Sequence, residues 1–64
     1  RMPSDGFVLR RVVGGVALIE TANGIREVMA GDYLPGAGRV RSIERRGREW
    51  VVVTSAGIID TQGY

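Results

Sequence analysis

The segment Ala30-Gly31-Asp32-Tyr33-Leu34-Pro35-Gly36-Ala37-Gly38 packs three glycines and a proline into nine residues. Such a stretch continues neither a helix nor a central strand, because ordering glycine costs backbone entropy and proline has no N–H to donate. The chain must swing here from one group of elements to the next. Turn chemistry recurs on both sides of this hinge, at Gly14-Gly15, Asn23-Gly24, Arg46-Gly47 and Ala56-Gly57. No stretch of about eleven residues keeps the apolar spacing of a helix without a glycine interrupting it. Strand signals fill the intervals instead, at residues 7–13, 16–21, 25–30, 39–45, 49–55 and 58–61. Gaps this short forbid parallel crossovers, so neighbours should be antiparallel. The expected fold is all-β, a compact sandwich or small barrel of about six short antiparallel strands. It occupies residues 7–61, with a linker or disordered N-terminus at 1–6 and a tail at 62–64.

Two apolar runs, Val16-Ala17-Leu18-Ile19 and Trp50-Val51-Val52-Val53, lack alternation. Both faces of such a strand should be buried, which predicts that these two are central. The expected core is Val16, Leu18, Ile19, Val28, Leu34, Val40, Ile43, Val51, Val53 and Ile58. Charges suggest the hairpin registers. A two-residue Asn23-Gly24 turn would oppose Glu20 to Glu27, whereas a three-residue Ala22-Asn23-Gly24 loop faces Glu20 to Arg26 and Leu18 to Val28, and is preferred. At Arg45-Arg46-Gly47 the same reasoning pairs Glu44 with Arg48, in competition with a register that pairs Ile43 with Trp50.

At 64 residues the chain is one small domain, and a domain of about this size buries only roughly 60% of the surface its unfolded chain exposes. Without Cys, neither disulfide nor zinc can staple it. The chain also has no His and no Lys, which removes the commonest general base and the Schiff-base amine. Ser4, Ser42, Ser55, Thr21 and Thr54 would need a carboxylate base to act as nucleophiles. Asp5, Asp32 and Asp60 have no oxygen-ligand spacing, and Asp32 is expected to cap its turn. The expectation is therefore a non-enzyme with no catalytic, cofactor-binding or metal site. No apolar run of about 18 residues could span a membrane, and no signal-peptide pattern opens the chain. A first residue of Arg rather than Met is what a piece of a longer protein would give.

All nine basic residues are arginines, and the net charge is +2. They are interspersed with Glu20, Glu27, Glu44 and Glu49 rather than blocked, as on a solvated surface. Aromatic residues are isolated in sequence, which disfavours base stacking. Protein docking fits better, since an open sheet edge can pair with a partner strand without special side chains. The first strand carries arginines in its middle, as an edge tolerates. Phe7, Val8, Leu9, Arg10, Arg11 and Val12 are accordingly the expected partner-binding residues. A second copy pairing through that strand, with exchange hinged at Gly14-Gly15, is an alternative occupant. The runner-up function is a small β-barrel that binds nucleic acid through Arg10, Arg11, Arg39, Arg41, Arg45, Arg46 and Arg48.

The succession Val16-Ala17-Leu18-Ile19-Glu20, Gly24-Ile25-Arg26-Glu27-Val28, Gly31-Asp32-Tyr33-Leu34-Pro35-Gly36, Gly38-Arg39-Val40-Arg41-Ser42-Ile43 and Trp50-Val51-Val52-Val53-Thr54 resembles a known family. It is the small periplasmic β-domain shared by PilP of type IV pili and the homology region of the type II secretion protein GspC. The likeness covers roughly residues 8–60, and its most specific part is the Gly31-Asp32-Tyr33-Leu34 corner. It implies a compact sandwich of two small antiparallel sheets in the periplasm, borne on a membrane-anchored bacterial envelope protein. The implied partner is an outer-membrane secretin or an inner-membrane platform component, docked on residues 7–13. The arginine content and the Gly-Tyr ending depart from the family pattern.

Overall fold

The structure is a computed structural model and describes residues 6–62; the linker and tail expected at the termini lie almost wholly outside them. Seven strands follow one another: β1 (Val8–Val13), β2 (Val16–Thr21), β3 (Gly24–Val28), β4 (Tyr33–Leu34), β5 (Gly38–Arg46), β6 (Glu49–Thr54) and β7 (Ile58–Ile59). All pairings are antiparallel. They form a three-stranded sheet in the order β1-β2-β3 and a four-stranded sheet in the order β4-β5-β6-β7, so both non-alternating runs lie in interior strands. The glycine-rich hinge joins the two sheets. Asp32 caps it as expected, its Oδ2 accepting from the Met29 N–H at 2.8 Å while its own N–H donates to the Met29 carbonyl at 3.0 Å. Within the hinge Tyr33 and Leu34 pair with Arg39 and Gly38, a seventh strand too short to register as a pattern.

One core lies between the sheets, built from Phe7, Leu9, Ala17, Ile19, Val28, Leu34, Ala37, Val40, Val52 and Ile59. Five expected core residues are buried, namely Ile19, Val28, Leu34, Val40 and Val51. Val16, Leu18, Ile43 and Val53 are only half-buried, and Ile58 is exposed. Val16 and Leu18 turn outward because only one face of β2 is covered by the chain, and two bulges decide which residues of β1 and β5 turn inward. A β-bulge at Arg10 places Leu9 opposite Ile19 and Arg11 opposite Leu18, and another at Arg41 places Val40 opposite Thr54 and Ser42 opposite Val53. The extra residue shifts the period by one, so apolar residues three apart, Leu9 with Val12 and Val40 with Ile43, all turn to the core. Strict alternation cannot anticipate that.

The hairpin registers also differ from expectation. Thr21 faces Gly24 and Glu20 faces Ile25, which puts Ala22-Asn23 in the turn; Thr21 Oγ1 donates to the Gly24 carbonyl at 2.8 Å and accepts from the Asn23 N–H at 3.0 Å. Neither like-charged nor Glu–Arg pairing selects the register; the threonine-stitched turn does. In the second hairpin Arg46 faces Glu49 and Arg45 faces Trp50, with Gly47-Arg48 in the turn. Arg45 Cζ stands 5.7 Å from the Trp50 ring centroid, a contact this register makes directly across the ladder.

Leu9 binds the sheets together through its backbone, its N–H donating to the Asp60 carbonyl at 2.9 Å. At the other end of the core Gly38, with φ +94°, passes so close to β6 that a Cβ there would stand 2.0 Å from Ser55 Oγ. That hydroxyl accepts from the Arg39 N–H at 3.1 Å, so no outward shift is free. Gly38→Ala should therefore cost about 2 kcal/mol or more through both strain and the displaced hydroxyl, read from urea denaturation. Ile19→Ala should cost about 3 kcal/mol, but Leu18→Ala only about 1 kcal/mol. A larger loss at 18 than at 19 would mean that β2 is turned the other way, and equal losses that both of its faces are covered.

Candidate functional site

Antiparallel partners share a face, so the pairings define what the three-stranded sheet turns away from the core. Three rows result. Val8, Glu20 and Ile25 form the first, Arg11, Leu18 and Glu27 the second, and Val13 with Val16 the third. Met29, one residue past β3, follows Glu27 on the same side by alternation. Nothing in the described chain covers this face. Val13, Ile25 and Met29 are 57%, 55% and 52% exposed, and Val8, Val16 and Leu18 are half-buried only by their neighbours.

The charges on the face are arranged as well. Arg10 reaches Glu20, Nε donating to Oε1 at 2.7 Å, so this pair neutralises itself at the rim. Arg11 and Glu27 flank Leu18 on opposite sides and have no ion-pair partner among the described residues. A central leucine thus lies between an unpaired positive and an unpaired negative charge, roughly 10 Å apart across two strand spacings.

The structure divides the six residues expected to bind a partner. Phe7 and Leu9 point into the core, and the N-terminal half of the β1 edge is bridged at Leu9 to Asp60. Val12 packs half-buried against the core. Val8, Arg10 and Arg11 remain on the outer side, where they join Val13, Val16, Leu18, Ile25 and Met29, residues not anticipated as a surface. For Val16 and Leu18 the signal is the unbroken run Val16-Ala17-Leu18-Ile19; Val13, Ile25 and Met29 carry none of their own. Such a run predicts burial on both sides, whereas within the described residues only the Ala17 and Ile19 side is covered.

Other polar clusters have structural roles. On the outer side of the four-stranded sheet Ser42 Oγ donates to Glu44 Oε2 at 2.6 Å, and Arg46 Nε and Nη2 donate to Glu44 Oε1 at 3.2 and 3.0 Å. A serine on a carboxylate has the outline of an activated nucleophile. However, the serine hydroxyl first, and then the Arg46 side chain, hold Glu44 below its ordinary pKa, opposite to what a general base near neutral pH requires. The buried Thr54 hydroxyl donates to the Gly57 carbonyl and accepts from the Ala56 and Gly57 N–H groups, closing the turn before β7. Trp50 is half-buried beneath Arg45, which occupies a ring face that a base would need. A cleft of about 190 Å³ between the β2–β3 tip and Leu34-Pro35-Gly36 has Arg26 at its side and Phe7 against it, with no second charged group among its lining residues. Among the described residues no three acidic, His or Cys side chains gather to hold a metal ion, and no helix is long and apolar enough to cross a membrane.

No family model matches the chain, and no match is found among curated proteins or solved structures.

The Ser42, Glu44 and Arg46 row generates a pH prediction. Because the folded carboxyl titrates below its unfolded value, the stabilisation is present above the ordinary glutamate pKa of 4.5 and is lost as pH falls through the lower folded value. The melting temperature of the parent should exceed that of Glu44→Gln at pH 7, with the gap closing in acid below pH 4.5. A gap that is constant across this range would contradict the assignment.

Proposed function

We propose that this chain is a non-catalytic protein-docking module whose docking surface is the outer face of the β1-β2-β3 sheet. The observation that carries this reading is an uncovered apolar sheet face with Leu18 at its centre and Val13, Ile25 and Met29 more than half exposed. Contiguous apolar surface of this kind on a small domain marks an interaction site. The rim of arginines and glutamates supports it, since such interfaces place polar groups around an apolar centre. A chain without His, Cys or Lys, whose hydroxyls at Ser42, Thr54 and Thr21 are tied into local hydrogen bonds, offers little to a catalytic reading.

The bacterial envelope is the proposed setting, in a membrane-anchored parent protein that assembles with a secretin or an inner-membrane platform component. That part of the proposal rests on the resemblance carried by Gly31-Asp32-Tyr33-Leu34 and its flanking strands, supplemented by the two-sheet fold that the resemblance implies.

Photo-crosslinking from defined positions tests the surface. A photoreactive residue in place of Ile25 should give a discrete protein adduct in cells. The same residue in place of Arg48 at the opposite hairpin tip should give none, and Leu18→Arg should abolish the Ile25 adduct while leaving the fold intact by circular dichroism. Adducts to nucleic acid, or adducts from position 48 in preference to 25, would overturn the reading in favour of the arginine surface.

A further inference from the structure

We infer that the occupant of this face is a second copy of the chain, seated face to face about a two-fold axis that runs parallel to β2. The inference rests on the outer face being the docking surface, and it adds the partner and the geometry. The middle row reads positive, apolar, negative: Arg11 on β1, Leu18 on β2 and Glu27 on β3. Rotation about an axis along β2 exchanges β1 with β3. Arg11 then lies over Glu27 of the partner subunit, Glu27 lies over Arg11 of the partner subunit, and the two Leu18 side chains meet on the axis. Two-fold contacts must be self-complementary, and this row is so only about that axis. An in-plane axis across the strands would instead stack Arg11 on Arg11 of the partner subunit, which costs stability.

The other rows follow the same operation. Ile25 falls over Val8 of the partner subunit, and Val13 falls towards Met29 of the partner subunit, so the three most exposed apolar side chains on this face are all covered. Glu20 also falls on the axis, where two carboxylates would repel. Each is already neutralised by Arg10 of its own chain. Sheets packed in this way lie about 10 Å apart, within reach of an arginine meeting a glutamate from opposite sides.

Area sets the strength. A face of three strands by about six residues measures roughly 15 by 20 Å. The surface buried per copy is then well under the roughly 800 Å² of a standard interface. The dimer is weak and reversible, populated at high protein concentration or when a longer parent protein brings two copies together.

Sedimentation equilibrium over about a hundredfold range of concentration, up to roughly millimolar, tests it. The parent chain should move from monomer towards dimer. Arg11→Glu or Glu27→Arg alone places like charges at both symmetric contacts and should weaken self-association about tenfold. A one-to-one mixture of the two variants should recover association to within about threefold of the parent, because the hetero-pair regains both opposite-charge contacts. The double variant should likewise associate as the parent does. Both positions are exposed, and unchanged melting temperatures would establish that the fold is intact. A parent that stays monomeric throughout, single variants that associate normally, or a mixture no better than its components would each overturn the inference. If the parent is monomeric while the position 25 crosslink to another protein persists, self-pairing fails and the docking face stands.

Discussion

A chain of this size can enclose one apolar layer, and everything else in the structure is arranged around that limit. With two sheets sharing a single core, each sheet has one face inside and one outside. The backbone bond from Leu9 to Asp60 ties the first sheet to the chain leaving the second, while the close pass of Gly38 under Ser55 fixes β5 against the end of β6 within the four-stranded sheet. The bulges at Arg10 and Arg41 raise the apolar content of the inner faces without lengthening the strands. In each case the extra residue is an arginine, whose long charged side chain is best accommodated outside.

The two outer faces are managed differently. On the four-stranded sheet Ser42, Glu44 and Arg46 form a hydrogen-bonded polar row beside Val51 and Val53, although Ile58 at the edge stays partly open. The three-stranded sheet has no such row. Its central strand carries Val16 and Leu18 outward, and among the described residues only the rim pair of Arg10 and Glu20 is internally satisfied. That asymmetry is the physical basis for assigning interaction to one face and a structural role to the other. Unpaired charges beside an apolar centre add direction, since an apolar patch alone would bind in any orientation.

The β1 edge, attractive from sequence because of its central arginines, is less available than the face beside it. Its backbone is tied at Leu9 to Asp60, next to the last strand of the second sheet, and Phe7 and Leu9 are committed to the core. Arg10 and Arg11 tolerate solvent for distinct reasons. Arg10 is the bulge residue, tied to Glu20, while Arg11 stands in the ladder beside Leu18.

Local chemistry is enough to establish the all-β class, the antiparallel pairing, the hinge with its Asp32 cap, and all six expected strands to within two residues of their ends, because each depends on residues close in sequence. The largest end errors are two residues, at the C-terminal ends of β3 and β7, where turns take over. Turn registers were not legible, since Thr21 selects its turn by hydrogen bonds and Arg45 selects its partner by lying over Trp50, contacts that exist only once strands have met. Core membership was legible at Val28, Leu34 and Val40, and failed where a strand buries one face only, as at Val16 and Leu18, and across the β1 bulge, where Leu9 and Val12 turn inward together. The candidate face was half legible: the unbroken run in β2 announced that both of its sides are apolar. Only the tertiary structure decided that one side would find its cover within the chain and the other would not, because 64 residues supply two sheets and a single layer between them.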